Sequence, residues 1–332
     1  MQASDADIEI LDLRHFAAPV LRPLLDAETS IWAERLHWDY RSSVRLLMQY
    51  LDNRMLPGYA LMESGRVIGY VFCVYEDTKA VIGDVFALSG AQENDPGLAS
   101  TAYSREVTLL RHLFELLLNS PHVERIESQL LLHPSGLFAP AFREAGFEVY
   151  RRLFLVQSLD GGWSQPQVEL PPHLEFRVWR DTDLAPAARL IYEAYRNHPD
   201  SSINDQYRSV HGSLRFLNNI VRYAGCGAFA AQGSYVVVDR VSRELAALVL
   251  GSRVSERSGH LTQVCVHPAF RRRGLARMLL AQAASSFLRM GAAEISLTVT
   301  EANTGAIRLY YDEGYQRTHS FDAAVWRHTP TA

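Results

Sequence analysis

The chain has 332 residues, 48% of them hydrophobic and 21% charged, with a formal net charge of −4. That balance suits two soluble cores, and an acidic chain without a long basic run argues against a nucleic-acid partner. The acidic start and the lack of any run of about 18 apolar residues argue against a leader or a membrane span, so a cytoplasmic protein is expected. Cys73, Cys226 and Cys265 suit neither a disulfide framework nor a metal site.

In chain order, helical patterns run to about Asn53, and strands are expected near 59–62, 66–75 and 80–88. A helix at 103–118, a strand at 123–132, a short helix ending at Gly146 and a strand from Phe147 follow. Gly and Pro replace periodicity at 161–172, which is read as a linker. Beyond it come a strand at 175–179, a helix from Asp181 to about Arg196, a helix at 206–222, and strands near 228–238, 244–252 and 260–266. The halves thus repeat one order of elements. Gly146-Phe147 matches Gly314-Tyr315, and Phe142 matches Tyr310, at one offset of 168 residues.

The most informative stretch is Arg271-Arg272-Arg273-Gly274-Leu275-Ala276, between the strand-like run 261–266 and a helix that Gly291 stops. Unpaired N–H groups and the helix dipole favour a phosphate at such a helix N-terminus. Three arginines alone would read as a solvated face or a nucleic-acid patch; a glycine opening the helix after a buried strand favours the cradle. Glu294–Thr300 alternates as a strand and ends at Asn303-x-x-Ala306-x-x-Leu309-Tyr310-x-x-x-Gly314-Tyr315. There Asn303 caps, and Gly314 stops, a short helix.

These two spaced signatures resemble those of the Gcn5-related N-acetyltransferases (GNAT), over about residues 261–315. The resemblance implies a mixed α/β (α+β) fold of two tandem GNAT-like domains, each a central mixed sheet flanked by helices. Residues 1–160 would be a degenerate copy, 161–172 the linker and 173–332 the catalytic domain, in an arrangement similar to the mycothiol synthase group. The first copy has an acidic, Pro-containing stretch at 89–101 where the second has its arginine–glycine loop.

The resemblance also implies acetyl-CoA as cosubstrate. Val264, Cys265 and Val266 would pair with its pantetheine arm. Arg271, Arg272, Arg273, Gly274, Leu275, Ala276 and Arg277 would surround the pyrophosphate, and Asn303 would bond the polar arm. Tyr310 matches the family tyrosine that protonates the leaving thiolate, although a packing role is an alternative. The strand before the loop carries no carboxylate, which leaves Glu301, Asp200, Asp205, His260 or a water chain as the base. Glu301 can equally be an acid favoured near a helix N-terminus.

The segment Tyr195-Arg-Asn-His-Pro-Asp-Ser-Ser-Ile-Asn-Asp-Gln-Tyr207 is read as acceptor-facing, and its aspartates and tyrosines suit a cationic amine. The partner expected is a small-molecule or peptide amine, with no nucleic acid and no membrane; oligomerisation is left open. The competing function is a non-catalytic acyl-CoA-binding or interaction protein.

Overall fold

The structure is a computed structural model that describes residues 8–88, 96–160, 170–222 and 227–328. Most of the expected linker 161–172, the acidic loop 89–95 and Cys226 lie outside the described residues. The chain forms two compact units. One lies within Met1–Leu36, Tyr40–Arg151 and Phe321–Ala332, the other within His37–Asp39 and Arg152–Ser320.

In the first unit the strands Ile8–Asp12, Gly58–Glu63, Arg66–Glu76 and Lys79–Ala87 pair antiparallel in turn. Arg125–Gln129 then joins parallel to Lys79–Ala87, and residues 323–327 close the sheet antiparallel to it. Alternation along Arg66–Glu76 sends Tyr70 and Phe72 into a core with Leu21, Leu25, Leu47 and Leu51 of the helices Ala18–Leu36 and Arg41–Asp52. Val71 and Cys73 face the opposite way, onto Leu109, Leu113 and Leu117 of the helix Pro96–Leu118.

The second unit repeats this plan. Leu174–Val178, Tyr235–Asp239, Leu245–Arg253 and Ser258–Val266 are antiparallel neighbours; Glu294–Thr300 joins parallel, and residues 152–158 close the sheet. Leu248, Leu250 and Cys265 pack against Ala187, Ile191 and Leu217 of the helices Leu184–Tyr195 and Val210–Arg222. Val249 and Leu261 pack on the other face against Leu279, Ala283 and Phe287 of the helix Leu275–Arg289. Phe287 fits because three glycines make room for it. A Cβ on Gly233, Gly251 or Gly259 would lie 2.8, 2.7 or 2.5 Å from its ring.

The repeat read from the sequence is visible at atomic level. After Phe142 the Phe147 N–H bonds the Phe142 carbonyl and the Gly146 N–H that of Arg143, both at 3.0 Å; Tyr315 to Tyr310 and Gly314 to Tyr311 are the same two bonds at 3.0 Å. Both glycines sit in the left-handed region, at φ +83° and +87°, so each short helix ends in the same Schellman motif.

Some elements differ from the sequence reading. A strand, Ile8–Asp12, precedes the first helix, and Gln316–Arg327 forms a long last strand. The strand expected over 228–238 is broken into Ala228–Phe229 and Tyr235–Asp239 by the turn Ala231–Gly233, where Gly233 admits Phe287. The helix expected from 206 starts at Val210, because Asn204 Oδ1 accepts from the Gln206 N–H at 3.0 Å and caps a separate turn, Asp205–Arg208.

Candidate active site

The parallel strands Ser258–Val266 and Glu294–Thr300 pair only from Ser258/Glu294 to Leu261/Leu297. Beyond that point each continues with its other neighbour, so the two part. A bulge helps: opposite Leu250 and Gly251 stand Gln263 and Leu261, which leaves Thr262 as the extra residue. Val264 and Val266 then turn backbone groups towards the opening. The Tyr195 hydroxyl reaches the Val264 carbonyl at 3.4 Å, and Arg271 Nε the Val266 carbonyl at 3.3 Å. An extended residue points its N–H and C=O to the same side, so both N–H groups are available there.

After Val266, the turn Pro268–Phe270 leads into the basic loop. Arg272 has φ 63° and Gly274 φ 76°, and the helix Leu275–Arg289 begins with no side-chain cap. Its first N–H groups, from Leu275, Ala276 and Arg277, therefore face outward at the positive end of the dipole. The arginines differ in use. Arg271 is anchored to the Ala194 carbonyl at 2.8 Å, Arg273 lies 5.3 Å from the Phe270 ring, and Arg277 bonds Glu313. Asn303 Oδ1 accepts from the Ala306 N–H at 3.3 Å, the cap its position implied.

Tyr310, on the helix Thr304–Asp312, is buried; burial pushes its hydroxyl pKa up, with further contributions from Asp200 and the Cys265 thiol. Asp200 starts the short helix Asp200–Ile203, and its Oδ1 accepts from Thr300 Oγ1 at 2.5 Å, at the end of the parting strand. Burial and Asp200 raise Tyr207 as well, while Tyr195 is raised by burial, Tyr207 and Asp200. Tyr195 and Tyr207 stack at 4.3 Å, and the Tyr207 hydroxyl donates to Gln263 Oε1 at 3.1 Å.

Glu301 lies exposed in the turn after Glu294–Thr300. His260 is buried, with Nδ1 2.9 Å from Ser296 Oγ, and burial together with Arg152 pushes it down to about 3, so it takes up no proton at neutral pH. Burial lifts the Cys265 thiol to about 12, which leaves it an unreactive core group. In the sequence Asp200 is one of several candidate acids; the Thr300 contact that places it depends on tertiary packing and has no local signature. Gln263 and the Tyr195–Tyr207 stack were likewise not visible as partners.

The first unit shows the corresponding opening filled. Lys79–Ala87 and Arg125–Gln129 pair only from Lys79/Arg125 to Ile82/Ser128, and Gly83 is the bulged residue. Matching the bulges sets Asp84, Val85 and Ala87 against Gln263, Val264 and Val266. Here the Val85 N–H is taken by Asp84 Oδ1 at 2.8 Å and the Ala87 N–H by Glu106 Oε1 at 3.2 Å. His133 bonds the Val85 carbonyl at 2.9 Å, and Glu28 accepts from Tyr70 and from Trp32 Nε1. Glu28, Asp84, Glu106 and His133 are all buried.

Residues 190–315 match the model of the acetyltransferase (GNAT) family. A structure of a GCN5-related N-acetyltransferase from Sphaerobacter thermophilus is similar over 98% of this chain and 97% of its own, with 15% identity and a TM-score of 0.60. A tandem GNAT protein of the clavulanic acid biosynthesis pathway, solved without AcCoA, matches over 98% and 100%, with 13% identity and a TM-score of 0.56. No curated protein matches the sequence significantly. Among the described residues no helix is long and apolar enough to cross a membrane, and no group of His, Cys, Asp and Glu side chains could hold a metal ion.

Proposed function

From a chain whose residues 190–315 form a GNAT-family domain within a tandem GNAT-like fold, we propose an N-acetyltransferase that moves an acetyl group from acetyl-CoA to a primary amine, active in the second unit alone. The observation that carries this reading is the contrast between the two openings. Val264 and Val266 keep N–H groups facing the gap, whereas their counterparts Val85 and Ala87 are occupied by Asp84 and Glu106.

Acetyl-CoA fits the second opening chemically. An extended amide chain pairs with an open strand edge, and a pyrophosphate suits the uncapped helix start at Gly274 with Arg272 and Arg273 beside it. When bound it supplies the thioester. The chain's own groups supply the rest: Asp200 takes a proton from the acceptor's ammonium so that the neutral amine attacks, and an N–H of Val264 or Val266 bonds the carbonyl oxygen as it becomes negative. Tyr310, held protonated by burial and by Asp200, donates to the departing sulfur. Asp200 is preferred to Glu301 as base because it is oriented by Thr300 and acts electrostatically on Tyr310, whereas Glu301 lies exposed.

Free-thiol release from acetyl-CoA, screened against amino acids, polyamines, aminoglycosides, amino sugars and peptide N-termini, tests the proposal. Turnover of at least one amine is expected. Tight acetyl-CoA binding with no amine turned over would favour the non-catalytic binder instead.

A further inference from the structure

Beside the parting strands, within the second unit, lies a cavity of about 470 Å³ whose wall includes Tyr192, Tyr195, Arg196, His198, Tyr207 and Arg208. We infer that this cavity holds an anionic group, a carboxylate or a phosphate, on the acceptor amine. The inference rests on the acetyl-transfer reading and narrows its substrate class to amines that carry an acid.

The charge of the wall is the first argument. Two guanidinium groups line it, and no carboxylate does so among the described residues. Arg208 is exposed, and its guanidinium forms no ion pair or hydrogen bond among the described residues. Arg196 leans on Tyr192, with its Nη2 3.3 Å from the hydroxyl and its carbon 5.5 Å from the ring centre; its ion pair with Glu193, at 3.8 Å, is a solvent-exposed contact that binds weakly.

The state of His198 adds a donor. Its Nδ1 accepts the Asp200 N–H at 3.2 Å, and burial lowers its pKa, so the neutral ring carries its proton on Nε2. Asp200 Oδ2 stays 3.9 Å from that ring, and Oδ1 is turned to Thr300. The cavity thus presents cations, N–H donors and aromatic faces, a set that recognises a planar or tetrahedral anion.

Position is the second argument. The stacked Tyr195 and Tyr207 rings belong to the cavity wall, while their hydroxyls end on Val264 and Gln263 at the opening. An acceptor lying along this stack would set its acid between Arg196 and Arg208 and its nitrogen towards Asp200 and the strand. The aspartates of the 195–207 segment, which in the sequence suggest a cationic acceptor, do not line the cavity.

Matched acceptors test this: amino acids against their amides, and phosphoethanolamine against ethanolamine, with spermidine as a cationic control. The acid-bearing member should show kcat/KM roughly tenfold higher or more, as expected for one charge-assisted contact. That ratio should collapse towards one in an Arg196→Gln/Arg208→Gln double variant, while Arg208→Lys keeps part of it. Equal rates within each pair, or a preference for spermidine, would overturn the inference. So would a double variant that loses acetyl-CoA affinity but keeps the preference, because the cavity would then serve the cosubstrate. Calorimetry with N-acetylglycine and phosphoethanolamine gives a readout free of turnover. Binding that weakens about tenfold in the double variant supports the anion site even if no amine is acetylated, and the tighter of the two probes tells carboxylate from phosphate. Failure of both probes to bind counts against it.

Discussion

The Thr300 hydroxyl donates to Asp200 Oδ1 at 2.5 Å, which ties the end of one parting strand to the short helix Asp200–Ile203, whose Asp200 also raises the Tyr310 hydroxyl pKa. A carboxylate fixed in this way has one oxygen oriented, and Oδ2 is the atom left for the proposed proton transfer. Asp200→Asn removes the proposed base with little change in shape, so kcat should fall by roughly 10²-fold, the low end for a general base. Thr300→Val loses only the orienting bond and should cost less. Steady-state kinetics beside acetyl-CoA calorimetry checks this. Full turnover in Asp200→Asn would return the role to Glu301 or to water.

Tyr310→Phe keeps a ring of the same shape, and the first unit already carries Phe142 at the matching place, buried before the same glycine stop. If the hydroxyl donates to the leaving sulfur, turnover with a chemistry-limited acceptor should drop by roughly 10²-fold while acetyl-CoA affinity changes little. Undiminished turnover would make Tyr310 a packing residue.

Much of this fold is legible in the sequence because it is written locally. Gly146 and Gly314 mark helix stops that need a left-handed residue, and Gly274 marks the start of an uncapped helix. Alternation at Glu294–Thr300 assigns faces. Alternation does not choose partners, however, so nothing local shows that residues 323–327 close the first sheet and 152–158 the second. The filled opening of the first unit was equally hidden. Glu28, Asp84, Glu106 and His133 are far apart in the chain and share no local pattern, yet the fold buries them together.

Acetyl-CoA should bind once per chain. Gly274→Glu brings a negative side chain to the proposed pyrophosphate position and forces a non-glycine residue to φ 76°, so binding should be lost. Glu106→Gln, in the first unit, should leave affinity intact. Calorimetry showing two equivalent sites per chain would refute the one-sided reading.

Three glycines against one phenylalanine give a packing prediction. Gly259→Val places atoms where a Cβ alone already meets the Phe287 ring at 2.5 Å, so the helix Leu275–Arg289 must shift off the sheet. Overpacking of this kind costs about 1–3 kcal/mol. A Gly259→Val/Phe287→Leu pair should recover part of that loss in urea unfolding; recovery of none would mean that the strain lies elsewhere.

Stability should respond to pH with opposite signs in the two units. His260 sits at about 3, pushed down by burial and Arg152, against an ordinary value of 6.5. Between those values the unfolded chain binds the extra proton, so this contribution is whole above pH 6.5 and is lost as pH falls. Glu106 is pushed up to about 8 by burial, against 4.5. Here the native state holds the proton, so the contribution is whole below pH 4.5 and is lost as pH rises towards 8. Arg35 and the Ala87 N–H oppose that rise and Glu28 adds to it, with His133 3.9 Å away. In urea melts from pH 4 to 8, His260→Gln should flatten the acid limb and Glu106→Gln the alkaline limb. A residual alkaline slope should belong to Glu28 and Asp84, both also raised by burial. If Glu106→Gln leaves the alkaline limb unchanged, Glu106 is ionised in the native unit and its contact with the Ala87 N–H is that of a carboxylate.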